Sequence, residues 1–171
     1  LTISNIELGE TRFCFESVAL SGVAESVLHL LRMKAAEKNI ELVSVIPDDL
    51  PPIRADRDRL SQILINVLDN AVKFTPEGGT VTLSAAPAEG REVLGRIADT
   101  GIGVPRDEIA RLGERFYRVD KTRSRELGGT GLGLSIVKHL VTAHGGRMEI
   151  ESQLGRGTTV SLWFPAWRDA A

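Results

Sequence analysis

This chain of 171 residues has a single cysteine and a small net charge. Cys14 is the single cysteine, so no internal disulfide can form, and its neighbours Phe13 and Phe15 predict a packed thiol. The formal net charge of -2 argues against a dedicated nucleic-acid-binding protein, which would carry a strong basic excess. No apolar run is long enough to span a membrane, and no signal peptide is recognisable.

Hydrophobic periodicity predicts one α/β domain, a two-layer α/β sandwich with helices on one side of a largely antiparallel sheet. Asp56 is the expected N-cap of the best-defined helix, whose apolar residues form one continuous face. The segment 48–53 is expected to be a turn. The predicted helices cover residues 19–38, 56–74, 106–116 and 131–144; the predicted strands cover 12–17, 40–47, 80–86 and 91–99, with a final hairpin around 153–157.

An unusual polar stripe lies on the predicted helix 56–74. Asn66, Asn70 and Lys73 are spaced to share one face, beside the apolar stripe. Asparagine is a poor choice for a solvated helix face, so the stripe suggests a half-buried polar site. Amide oxygens can bind a hard cation and a lysine can meet a phosphate, although the asparagines could equally hydrogen-bond a neighbouring loop.

Asp99 ends a predicted strand in the stretch ADTGIGVP (98–105), whose glycines let the backbone run close to a ligand. A buried carboxylate needs a partner, and the exocyclic amino group of a purine would serve. The alternative is an aspartate that starts the loop through an Asx-turn.

Glycines and cations dominate residues 114–133. The loop GGTGLG (128–133) has neither the lysine of a P-loop nor the preceding strand of a dinucleotide fingerprint, but it opens a helix, and a helix start binds anions. Five basic side chains precede it, and one or two of them could reach a terminal phosphate while the others stay solvated: Arg115, Arg118, Lys121, Arg123 and Arg125.

Taken in order, these stretches resemble the ATP-binding catalytic domain of sensor histidine kinases, in the superfamily that also holds DNA gyrase B, Hsp90 and MutL. NVLDNAVKF (66–74) is similar to the N box, DTGIG (99–103) and GGTGLGLSIV (128–137) to two glycine boxes, and ERFYRVD (114–120) to the F box. GRGTT (155–159) is similar to a last glycine motif. The resemblance implies the Bergerat fold, with three helices on one face of a mixed sheet and ATP and Mg²⁺ as cofactors.

The resemblance also implies residue roles. Asp99 would accept a hydrogen bond from adenine, with Phe74 beside the base. Asn70 would be the principal magnesium ligand, with Asn66 near the metal and the phosphates. Asn66, Lys73 and Arg118 would form the catalytic set, Lys73 contacting phosphate and Arg118 steadying the γ-phosphate. The remaining nucleotide contacts would come from Gly101, Gly103, Gly129, Thr130, Gly131, Leu132, Gly133 and Thr158.

The family's phosphoacceptor histidine is followed by an acidic residue, and His29, His139 and His144 all lack that context. We therefore expect the acceptor to lie on a dimerisation hairpin of a longer parent protein, with a response regulator as the next partner. Residues 1–18 would be the end of that hairpin and a linker, 19–166 the catalytic domain and 167–171 a tail. The fragment is expected to be cytoplasmic and monomeric, without nucleic-acid or membrane contact, and its parent a homodimer and a candidate inner-membrane sensor.

Three other functions share this fold: a conformational ATPase of the gyrase, Hsp90 or MutL type, a serine kinase of the anti-sigma type, and a nucleotide-binding pseudokinase. The ATPases resemble one another in a glutamate at the position of Asn66, where it activates water. An amide cannot act as that general base, so Asn66 favours transfer to an outside nucleophile over hydrolysis. Because every box is intact, the pseudokinase interpretation is the weakest.

Overall fold

The structure, a computed structural model, describes residues 13–47, 49–101, 132–153 and 155–167. Three helices and seven strands are found in these ranges. The helices are α1 (Leu20–Glu37), α2 (Arg57–Phe74) and α3 (Leu132–Ala143). The strands are β1 (Glu16–Val18), β2 (Glu41–Val45), β3 (Ile53–Ala55), β4 (Thr80–Ala88), β5 (Glu92–Asp99), β6 (Arg147–Gln153) and β7 (Gly157–Pro165).

Five strands form a mixed sheet in the order β2-β4-β5-β7-β6. β2 runs parallel to β4, with Glu41 opposite Thr80, and the other three pairings are antiparallel. β1 and β3 form a separate antiparallel pair. The described part of the chain therefore confirms the predicted α/β fold with a largely antiparallel sheet.

The helix α2 is central to the helical layer. It packs between α1 and α3 and against β4 and β5, which line the middle of the sheet. Its first turn is capped as predicted, because the Asp56 carboxylate accepts a hydrogen bond from the Arg59 N–H at 3.1 Å. The core-facing residues of α2 are the predicted apolar stripe: Leu60, Ile63, Leu64, Val67, Leu68 and Ala71.

The N-terminal end of the described chain differs from expectation in two ways. The strand predicted at 12–17 is found at Glu16–Val18, and Cys14 is exposed rather than packed. Alternate residues of an extended chain point to opposite sides, so the stacked rings of Phe13 and Phe15 face inward and leave Cys14 outward. The expectation of a packed thiol was wrong.

The partner of β1 was also missed. Ile53, the last residue of the segment predicted as a turn, and the two residues after it form β3, in which Ile53 and Ala55 are buried. β3 exists because its neighbours in space supply hydrogen bonds: Val18 pairs with Ile53, and Ile53 also bridges to Ala166. The predicted helix at 106–116 lies outside the described residues.

Within the described ranges, no helix combines the length and the apolar character needed to cross a membrane.

Candidate functional site

The polar stripe of α2 lies at the border between core and solvent. Asn66, Asn70 and Lys73 are half-buried, while the adjacent Val67 and Ala71 are buried. Neither asparagine amide makes a hydrogen bond to another described residue. The described structure thus leaves both amide oxygens available as ligands, and it supplies no loop partner for them.

Lys73 lies against its own helix. Its Nζ is 3.1 Å from Asp69 Oδ2, one turn earlier, and Lys34 Nζ of α1 is 2.8 Å from Asp69 Oδ1. Burial alone would raise the pKa of Asp69, but the hydrogen bonds and charges of the two lysines lower it below its ordinary value. Sequence reasoning missed Asp69, although its i,i+4 spacing to Lys73 was visible.

Asp99, the last residue of β5, is held by two backbone donors. Its Oδ1 accepts the N–H of Gly101 at 2.8 Å and the N–H of Thr158 at 3.1 Å. The first contact is the Asx-turn that the sequence offered as an alternative to a ligand contact. No hydrogen bond from another described residue reaches Oδ2. The Asx-turn and the ligand contact are therefore compatible, because Oδ1 makes the turn and Oδ2 can accept a hydrogen bond from a ligand.

Burial is the largest influence on Asp99. It raises the pKa of this carboxyl group above the ordinary value, and the hydrogen bonds from Gly101 and Thr158 offset that rise only in part. A half-buried carboxylate with one oxygen left without a described donor is suited to an amino group supplied by a ligand.

Gly101 is required by the close approach of α2. A Cβ at this position would lie 2.5 Å from the carbonyl oxygen of Phe74 and 2.8 Å from Asp99 Oδ1. The loop after β5 therefore touches the last residue of α2. Thr100 strengthens this arrangement, since its Oγ1 accepts the Thr80 N–H at 3.0 Å.

The start of β7 closes the other side of Asp99. Gly157 has φ of +123°, and a side chain there would overlap the Asp99 carbonyl group. The Thr158 hydroxyl lies 2.8 Å from Ser152 Oγ of β6. In the described structure Thr158 positions Asp99 through its N–H. The close approach of Gly157 to Asp99 was missed because it joins strands distant along the chain, and Ser152, across the predicted final hairpin, was not singled out.

The described elements bring three of the predicted stretches together: the end of α2, the end of β5 and the start of β7. Leu132 begins α3 and Gly133 lies in its first turn, as expected of a glycine loop that opens a helix. The other predicted site residues lie outside the described ranges: Gly103, Arg118, Gly129, Thr130 and Gly131.

Comparison with known proteins decides the family. Residues 55–168 match the family model described as histidine kinase-, DNA gyrase B-, and HSP90-like ATPase. The chain belongs to this family. Its relatives narrow the assignment: the chain is an ATP-binding catalytic domain of the sensor histidine kinase type, as the boxes in the sequence predicted.

Two curated relatives illustrate the similarity of this histidine kinase domain. It is 42% identical over 167 residues to the circadian input-output histidine kinase CikA of Synechococcus elongatus, covering 96% of this chain and 22% of CikA. It is 44% identical over 130 residues to the sensor histidine kinase WalK of Bacillus subtilis, covering 75% of this chain and 21% of WalK. The chain thus spans about a fifth of the length of these two relatives.

Solved structures agree with the fold. The crystal structure of full-length ShkA in complex with AMPPNP is 37% identical, with a TM-score of 0.83, covering 99% of this chain and 35% of that one. The mycobacterial sensor histidine kinase MprB is 29% identical, with a TM-score of 0.76, covering 90% of this chain and 98% of that one.

Proposed function

We propose that this domain binds Mg-ATP and transfers its γ-phosphate to a histidine on a dimerisation hairpin outside the present sequence, for relay to a response-regulator aspartate. The observation that carries the proposal is the environment of Asp99, which lies next to the end of α2. Two backbone N–H groups hold its Oδ1, and no described residue donates a hydrogen bond to its Oδ2. In ShkA the same fold was crystallised with a non-hydrolysable ATP analogue.

Adenine fits this carboxylate. Its exocyclic amino group is a donor that would meet Asp99 Oδ2, whereas guanine would bring an acceptor oxygen to the same place. Phe74 ends α2 where its backbone meets the Gly101 loop, so its ring is the candidate neighbour of the base. The preference for adenine would arise from hydrogen-bond complementarity in a half-buried site.

The triphosphate would lie along the polar stripe of α2 and the start of α3. Asn70 and Asn66 supply amide oxygens of the kind that Mg²⁺ accepts when phosphate oxygens and water complete its ligands. When bound, the metal would neutralise charge on the phosphates. Lys73 would exchange Asp69 for phosphate, while Lys34 keeps the Asp69 charge paired. Arg118 and the glycines of 128–133 would complete the site.

Transfer rather than hydrolysis is favoured by the side chain at position 66. Asn66 cannot take a proton from water, so the domain would leave the γ-phosphate for a nucleophile that another domain brings. Phosphoryl transfer depends mostly on positioning and on stabilising charge, which the remaining residues of the site would supply. The partners follow from this chemistry: the hairpin of the parent protein, which would be a homodimer, and a response regulator.

The division of the chain is part of the same proposal: the end of the dimerisation hairpin and a linker at 1–18, the catalytic domain at 19–166 and a tail at 167–171. The described part of the linker contacts the domain, since the Cys14 N–H donates to Asp56 Oδ2 at 2.9 Å. We propose a cytoplasmic location because ATP and response regulators are found there.

Calorimetric titration of the chain with Mg-ATP and Mg-GTP tests the proposal. We expect Mg-ATP to bind at least about tenfold more tightly than Mg-GTP, because a mismatched buried acceptor costs roughly 1–3 kcal/mol. Asp99→Asn should lose a similar factor for Mg-ATP. Asp58→Asn, an exposed charge in the first turn of α2, is the matched control and should bind normally. Equal affinity for the two nucleotides, or normal binding by Asp99→Asn, would contradict the assignment of Asp99.

A further inference from the structure

The last turn of α2 carries Asn70 and Lys73, and its carbonyl groups lack donors within the helix. Thr75 Oγ1 donates to the Ala71 carbonyl at 2.6 Å. Lys38 supplies the next two bonds from a different helix, since its Nζ donates to the carbonyls of Val72 at 2.9 Å and Lys73 at 3.0 Å. One ammonium group therefore bonds two carbonyls at the end of α2, and the Val72 carbonyl also accepts the Thr75 N–H at 3.4 Å.

The end of α1 places Lys38 for this contact. Asn39 adopts φ of 54°, and its N–H bonds to the Ala36 carbonyl while the N–H of Ile40 bonds to that of Ala35. This pair of bonds is a Schellman motif, in which Lys38 is the C-cap and the buried Ile40 anchors the chain that follows. Asn39 Nδ2 also donates to Glu77 Oε1 at 2.8 Å, tying the motif to the loop after α2.

Lys38 differs from the other lysines that reach α2. Lys34 and Lys73 both pair with the Asp69 carboxylate, whereas no carboxylate in the described residues pairs with Lys38. Burial lowers the pKa of Lys38, so the surroundings disfavour its charge. Its acceptors are neutral carbonyls at the negative end of the α2 dipole. The ammonium group therefore complements the negative end of the α2 dipole in addition to donating its two hydrogen bonds.

We propose that Lys38 is a positioning residue for the nucleotide: it fixes the last turn of α2, and with it Asn70, which would meet the metal, and Lys73, which would meet the phosphates. The inference rests on the proposed function, since it requires that these residues of α2 meet the metal and the phosphates. Among the described residues, Lys38 Nζ donates hydrogen bonds only to backbone oxygens.

The test compares Lys38→Met, Lys38→Gln and Lys38→Arg with Arg32→Met, an exposed cation on the same helix. Calorimetry measures the affinity of each for Mg-ATP and for adenosine, which has no phosphate. We expect Lys38→Met to weaken Mg-ATP about tenfold, the size expected for losing charge-assisted hydrogen bonds, and adenosine less than about threefold. Lys38→Arg should recover most of the loss, and Arg32→Met should match the wild type.

The outcomes separate the two proposals. A wild-type chain that does not bind Mg-ATP overturns the proposed function itself. A wild-type chain that binds, together with Lys38→Met binding equally well, overturns only the role of Lys38. Equal losses for Mg-ATP and adenosine reduce Lys38 to a structural cap and also overturn the inference. If Lys38→Met does not fold, Lys38→Gln decides, because it keeps a donor without the charge and should show the same preferential loss for Mg-ATP.

Discussion

Gly101 has no room for a side chain where the loop after β5 meets α2. Any Cβ there meets the Phe74 carbonyl and the Asp99 carboxylate, so Gly101→Ala must push the loop after β5 away from α2. We expect this variant to lose about 1–3 kcal/mol of unfolding free energy and most of its ATP affinity. Thermal unfolding and calorimetry measure the two effects.

Gly22 provides the matched control. A Cβ at Gly22 in α1 meets nothing within 4 Å. Because alanine is the better helix former, Gly22→Ala should leave ATP binding unchanged and raise stability by about 0.5 kcal/mol. If the two glycine variants behaved alike, the close approach at Gly101 would have no functional importance.

Asn70 can be separated from the base contacts by choice of ligand. Its proposed contact with the nucleotide runs through the metal, so Asn70→Ala should weaken Mg-ATP by about tenfold while changing metal-free ADP little. Asp58→Ala removes an exposed side chain in the first turn of the same helix, far from Asn70, and should affect neither ligand. Equal losses of Mg-ATP and ADP with Asn70→Ala would mean that this asparagine has only a structural role.

Single residues were predictable from sequence where their partners are close along the chain. The half-burial of Asn66 and Asn70 followed from helical spacing, and the Asx-turn of Asp99 involves a residue only two positions away. Lys38 was not predictable, because its acceptors lie 34 and 35 residues away and only the packing of two helices brings them together.

Among the elements, α2 and α3 are joined by a buried histidine at the end opposite the proposed site. His144 follows α3; its Nε2 accepts the Asp56 N–H at 3.2 Å, and its Nδ1 lies 2.7 Å from the Leu140 carbonyl. Phe13, Phe15 and Phe164 surround the ring edge-on. The imidazole must be neutral, with the proton on Nδ1, to make both hydrogen bonds.

This junction predicts a pH dependence. Burial lowers the pKa of His144, with the Leu140 carbonyl and Asp56 raising it less and Arg54 lowering it further. The unfolded chain therefore binds more protons than the folded one between the folded pKa and about 6.5, so stability falls as the pH drops through that window. Denaturant unfolding between pH 8 and pH 5 should show this slope.

Two substitutions isolate the histidine responsible. His144→Gln keeps an acceptor but does not titrate, so its stability should change less with pH over the same range. His139→Gln removes an exposed histidine of α3 and should retain the wild-type slope. A wild-type slope in His144→Gln would show that another group governs the effect; Asp56, whose pKa is lowered, titrates only in more acidic solution.

Elements were predictable to the extent that their own sequence specifies them. α2 has an N-cap, an apolar stripe and a proline after its end, and it was found within one residue of expectation. β3 has three residues after two prolines and little pattern of its own. It forms because β1 and Ala166 lie beside it, and these neighbours are too distant along the chain to be inferred from the sequence around residue 53.

At the scale of the whole molecule, the chain should bind ATP without becoming phosphorylated. His29 and His139 are exposed but lack an acidic residue after them, and His144 is buried with both ring nitrogens engaged. When the dimerisation hairpin of the parent is supplied, the chain should phosphorylate a histidine there. Proximity of that histidine to the bound ATP restores much of the transfer rate that is lost when the two domains are separate. Labelled ATP, with and without the hairpin, is the measurement.

The chemistry of the product distinguishes the alternatives. Phosphohistidine is acid-labile and base-stable, whereas phosphoserine survives acid. Rapid ATP turnover by the chain alone would favour a conformational ATPase, and acid-stable phosphate on a partner would favour a serine kinase.

The arrangement around β3 has a consequence for how the polypeptide can be cut and rejoined. Segments 16–18 and 166–167 flank β3, with Ile53 opposite both Val18 and Ala166 and the Trp167 N–H donating to the Pro52 carbonyl at 2.9 Å. α2 starts just after β3 and its 18 residues carry the chain about 27 Å away before Phe74. Because segments 16–18 and 166–167 both lie against β3, a short linker could join them at little entropic cost. A circular permutant reopened at the exposed turn of Glu89 and Gly90 should keep the nucleotide site intact.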